Sequence, residues 1–145
     1  MDLPEYVTVE EVKRVCNQLN ISDWSELKEA KVSAEEARVI LSEVNTEGMD
    51  IELEEFHNGL EVELEHGTEF KDANVTNNHP VVTGKIVLAH LKESLYYYKL
   101  LEVAEIEGDL VKDILAGDTS KIKSRYIKLS KAKMLLIQAE LDRLE

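Results

Sequence analysis

Cysteine, proline and glycine are all scarce in this chain: among 145 residues there are one Cys, two Pro and six Gly. With Cys16 alone, no disulfide can form within the chain and no cysteine pair can hold zinc. So little Gly and Pro disfavours a turn-rich all-β fold and favours helices, and aromatics, at 6%, are also sparse. Basic residues are outnumbered, 17 against 30 acidic, which leaves a net charge of -13. That balance excludes long-range attraction to nucleic acid or to an anionic lipid surface, because both need positive potential. Long apolar runs are missing as well. Ile86 to Ala89 and Met134 to Ile137 are far short of the ~20 residues a membrane span needs. The opening Met-Asp-Leu-Pro-Glu has neither the basic nor the apolar region of a signal peptide, so a reducing, cytoplasmic setting is expected. There is no Gly-rich phosphate loop and no His-Glu-x-x-His run.

What is present is helical periodicity with clear start signals. Thr8-x-x-Glu11 and Ser33-x-x-Glu36 read as capping boxes. The first opens a helix ending near Asn20, and the second a helix through Ala37, Ile40, Leu41 and Val44 that stops at Asn45 to Gly48. A short helical piece anchored by Trp24 and Leu27 is expected between them. Asp50 is placed to cap a helix carrying Leu53, Phe56, Leu60 and Leu64, with Gly67 as its stop. Lys71 to Val82, rich in Asn, reads as the longest loop. Thr83 then caps a helix to about Glu107 that is apolar on most sides, and Gly108 precedes a short helix closed by Gly117. The last helix buries Ile122, Tyr126, Leu129, Leu136 and Leu144. The fold expected is all-α: one domain of residues 1–145, a bundle of five to seven helices around a central buried helix near 83–107.

One helix face stands out chemically. Ile86, His90, Glu93, Tyr97, Leu101 and Ala104 fall on one side of the 83–107 stretch, so an imidazole, a carboxylate and a phenol sit on an otherwise apolar stripe. Burying them requires partners or an ion. Glu63-x-x-His66 supplies a second carboxylate and imidazole one turn apart, in the reverse order of His90-x-x-Glu93. Carboxylate-bridged di-metal bundles are built from Glu and His at such spacing, although there the Glu-x-x-His order occurs twice. Two readings follow. In one, Glu63, His66, His90, Glu93 and Tyr97 hold a divalent metal, with zinc, iron and manganese all chemically suitable. In the other, the same residues form a metal-free hydrogen-bond network in a structural or regulatory protein that meets a protein partner or itself. A reaction at metal-bound water ranks behind both. His57 and His79 read as surface groups, and Cys16 as a buried, inert thiol.

Charge is unevenly placed. Glu43 to Glu69 contains ten acidic residues and no Lys or Arg, whereas Lys121 to Lys133 contains six basic residues and no acid. The basic stretch reads either as a docking surface for an anionic partner or, with more weight, as a face beside the acidic helix. That second contact could form within one chain or between two.

The run Glu55 to Gly67, with Glu63-Leu-Glu-His-Gly at its end, then Asn74-Val-Thr76, Gly84-Lys-Ile86, Ala89-His-Leu-Lys-Glu93, Tyr97-Tyr98 and Glu105, resembles a small bacterial and phage domain family of unknown function. The likeness covers about 35–107. It implies that Glu63, Glu65, His66, Gly67, Asn74, His90, Glu93 and Tyr97 are the positions such a family would use for a site. It implies no activity. Asn78-His79-Pro80 departs from the acidic or polar pair that the resemblance leads one to expect after the asparagine.

Overall fold

The computed structural model describes residues 4–144, and among these every regular element is helical. Six α-helices are present: α1 (Val9–Leu19), α2 (Ala34–Val44), α3 (Leu53–Glu69), α4 (Pro80–Glu93), α5 (Tyr97–Leu115) and α6 (Thr119–Leu141). Single 3-10 turns cover Trp24–Glu26 and Lys71–Ala73. The all-α expectation therefore holds, with a helix number inside the expected range. The chain gathers into two units, one ending at Leu95 and one beginning at Tyr96.

In the first unit α2, α3 and α4 pack on one another, and α1 packs against α4 and the Trp24 turn. The core is made of large side chains with no exposure, among them Trp24, Phe56, Leu60, Ile40 and Val87. Gly84 sets how closely α4 can approach. A Cβ there would lie 2.6 Å from a methyl of Ile40 and 3.3 Å from one of Val44, so only hydrogen fits between the helices. Cys16 is buried, burial pushes its thiol pKa up, and the Trp24 backbone N–H lies 3.5 Å from its sulfur.

The Ser33 capping box forms in full, and Glu36 does more than close it. Its second oxygen accepts from the Ser22 N–H at 2.9 Å and from the Ser22 hydroxyl, tying the segment before the Trp24 turn to the start of α2. Burial alone would raise the Glu36 carboxyl pKa, but hydrogen bonds from Ser22 and Ser33 lower it to about 2. The Thr8 box is only half made. Thr8 caps Glu11 N–H, while the Glu11 carboxylate turns to Arg14 at 2.6 Å.

Several boundaries differ from the expected ones. The single central helix over 83–107 is two helices, because Ser94 takes an extended conformation (φ -155°, ψ 129°) and α5 starts afresh at Tyr97. Ser and the three following tyrosines are weak helix formers, so this stretch yields easily to packing demands. On α4 the Lys85 and Lys92 side is exposed, as its lysines lead one to expect, but Ala89 and Glu93 are exposed as well. The helix begins at Pro80, with His79 as cap, three residues before Thr83. Proline at the first helical position loses no hydrogen bond and arrives with φ preset. α3 starts after Glu52 without a side-chain cap from Asp50, and continues through Gly67 to Glu69.

The second unit is an antiparallel hairpin of α5 and α6. Gly117 (φ 68°) turns the chain, and the Asp118 side chain caps α6. α5 runs through Gly108 without a break, so no separate helix begins at Asp109. The two helices meet over a small apolar seam of Ile106, Leu129 and Ala132, flanked by Val103 and Leu110. Arg125 bonds Asp113 at 3.0 Å and Asp109 at 3.1 Å, and Lys133 pairs with Glu107 at 2.6 Å. Within this unit the basic last helix finds acids on α5. Tyr126 and Leu144, expected inside, are 62% and 83% exposed.

Candidate functional site

Of the four expected site residues that lie in the first unit, the structure brings two together. Glu63 on α3 and His90 on α4 approach to 3.4 Å between Oε1 and Nε2, with side chains 15% and 31% exposed. Both side chains are partly exposed where α3 and α4 pack against each other. His66 and Glu93 are solvent-exposed. Tyr97 belongs to the second unit, where its ring packs edge-on to Tyr98 with centroids 5.2 Å apart. Among the described residues no three His, Cys, Asp or Glu side chains converge as a metal site would need.

The two histidines expected to be ordinary surface groups both have structural work. His57 Nε2 donates to the Val32 carbonyl at 2.5 Å and lies 3.7 Å from Glu61. Glu61 in turn accepts from the Val32 N–H at 3.1 Å and from Lys31 at 2.8 Å. Burial would raise the Glu61 pKa, but the hydrogen bond from Lys31 and that from the Val32 N–H hold it below the usual range. His57 and Glu61, one turn apart, together clamp the chain entering α2 onto α3. The i, i+4 spacing was visible, but its distant partner was not. His79 is buried, and its Nδ1 accepts the Val82 N–H at 3.3 Å. Burial lowers its pKa, favouring the neutral ring that such an acceptor must be.

A second polar feature involves Gly67 and Asn74. The Asn74 amide donates to the Gly67 carbonyl at 3.2 Å and to the Asn78 side-chain oxygen at 3.1 Å. A Cβ on Gly67 would lie 2.1 Å from that Asn78 oxygen and 3.0 Å from the Asn74 amide. Glycine in the last turn of α3 is therefore a seat for the asparagines, not a helix stop. Asn77 and Asn78 both take left-handed backbone conformations (φ 48° and 59°), and Asn77 also donates to the Val7 carbonyl at 2.6 Å. These groups line a cleft of about 600 Å³ together with Lys28 and Lys71. Its asparagine amides mainly hold the 71–79 segment in place.

A protein-family profile described as a protein of unknown function (DUF5661) matches residues 12–107. The chain belongs to the DUF5661 family. The matched span takes in the Glu63–His90 contact and the Gly67 and Asn74 seat, and it extends further towards the N-terminus than the resemblance read from the motifs. It ends at Glu107, inside α5, so the rest of that helix and all of α6 lie beyond it. Neither the curated proteins nor the solved structures yield a match. Among the described residues no helix is long and apolar enough to cross a membrane.

Proposed function

We propose that this DUF5661 chain is a structural or regulatory protein–protein interaction module, with the α5–α6 hairpin as its docking element. The observation that carries the reading is the hairpin's surface: Val111, Ile114, Leu115, Tyr126, Met134 and Ile137 are each more than half exposed. Soluble monomers rarely leave apolar patches beyond about 300–600 Å² uncovered. In this reading the two units are parts of one domain of residues 1–145, working in the cytoplasm of a bacterium or phage-infected cell. Glu63 and His90 then tie α3 to α4 at the helix rim, without a metal.

The rival is a zinc, iron or manganese ion held by Glu63, His66, His90, Glu93 and Tyr97. In its favour, Glu63 and His90 already stand 3.4 Å apart, and His66 lies one turn along α3 from Glu63. Melting of untagged protein before and after prolonged chelation separates the two. The interaction-module reading expects an unchanged melting temperature, and a His90→Ala loss of about 1 kcal/mol, discounted for the partial exposure of the pair. A wild-type melting temperature that falls under chelation to that of His90→Ala would establish the metal instead.

A further inference from the structure

We propose that one face of the α5–α6 hairpin docks against the same face of a second copy of this chain, closing a four-helix bundle. The proposal rests on the interaction-module reading above and names its partner. On α5, Leu100, Ala104, Glu107, Val111 and Ile114 follow one another at steps of four, three, four and three residues. On α6, Tyr126, Ser130, Lys133 and Ile137 do the same, and Leu141 continues the row. Such steps keep side chains on one helix face, and they are the spacing of seams between packed helices. Neither row is the one already in use, because the hairpin's own seam is Ile106 against Leu129 and Ala132.

The two rows border the same side of the hairpin. The Glu107 and Lys133 side chains, one in each row, meet at 2.6 Å. Arg125, with Asp109 and Asp113, lies beyond Ile106 and Leu129 on the other side. One side is therefore sealed by an ion-pair network, and the other is a largely apolar face interrupted by the Glu107–Lys133 pair and by Ser130 and Lys123. With Leu144, the apolar members of the two rows expose roughly 700 Å², close to the ~800 Å² each partner buries in a standard interface.

Charge selects a second copy over a partner of one sign. Residues 96–145 contain nine basic and nine acidic residues and are neutral, while residues 1–95, with eight basic and 21 acidic, carry the whole -13. Two hairpins can approach without net repulsion. A two-fold axis parallel to the helices would set α5 of each copy against α6 of the other and Glu107 beside the other copy's Lys133, so the face is complementary to itself in that arrangement.

Sedimentation of the full chain over a range of concentrations tests this directly. The expected result is a dimer that Ile137→Glu weakens on the order of 100-fold, with its helical content kept because Ile137 is exposed. Leu135→Glu, at an exposed apolar residue turned away from this face, should leave the dimer intact. A wild-type monomer at the highest concentration overturns the proposal, as does equal dissociation by both variants. If that monomer binds an apolar dye that Ile137→Glu abolishes, the docking face stands but another partner fills it. If instead Tyr126 and Met134 in the monomer resist radical labelling, the chain covers the face itself and the interaction-module reading falls too.

Discussion

The two units solve opposite problems. The first carries all of the net negative charge yet has a core of large, fully buried side chains, from Trp24 and Phe56 to Val87. The second is electrically neutral, but apart from the buried Tyr98 its core is one seam of Ile106, Leu129 and Ala132, and many of its larger apolar residues face outward. Repulsion among surface acids is tolerable where burial is deep, since each buried Leu, Phe or Val stabilises by roughly 1.5–3 kcal/mol. A hairpin of about fifty residues with so little buried surface has no such reserve. The contrast shows why a chain-wide charge of -13 misleads about α6: its lysines and arginine belong to a locally balanced unit.

The sharpest break in the comparison comes from emptying the first core. Phe56→Ala should lower stability by about 3–5 kcal/mol, read from chemical denaturation, because a ring with no exposure leaves a cavity. A loss below about 1 kcal/mol would mean that this core is no deeper than the hairpin's. Gly84→Ala should come next, at roughly 1–3 kcal/mol, since the added methyl must displace Ile40 or Val44. A neutral or stabilising result would show that α4 can move away from α2 without penalty.

Acid should also act on the first unit through Glu36. Its folded pKa of about 2 lies below its unfolded value, so its contribution is complete above the unfolded pKa and is lost as pH falls towards 2. Allowing for partial exposure, that contribution is about 1–2 kcal/mol. Glu36→Gln should flatten the acid limb of a stability profile by that amount. An unchanged profile would remove the tie between Ser22 and α2 from the account.

Much of the first unit was legible in the sequence, for local reasons. Ser33 and Glu36 lie three residues apart and report a cap that forms in full, and Phe56, Leu60 and Leu64 report a face that is buried. The features that escaped depend on distant residues. Near Ser94 the only local sign of a stop is weak helix propensity, since the apolar stripe continues through Tyr97 and no Gly or Pro intervenes. Conversely, Gly108 looked like a break, but a mid-helix glycine costs only about 1 kcal/mol and α5 runs through it. Pro80 after His79 was a usable start signal for α4, masked by the surrounding asparagines. At the candidate site, the Glu63–His90 approach was legible from face and spacing. The Gly67 and Asn78 seat was not, because it depends on how the 71–79 segment folds back.

Hydrogen exchange measured at several protein concentrations tests the central contrast most directly, because it reads both units in one experiment. Amides of α2, α3 and α4 should show protection independent of concentration, as expected of a unit that supplies its own core. Protection across α5 and α6 should rise with concentration, as a second copy covers the outward apolar face. Hairpin protection that is already maximal in dilute solution and does not change would contradict the account.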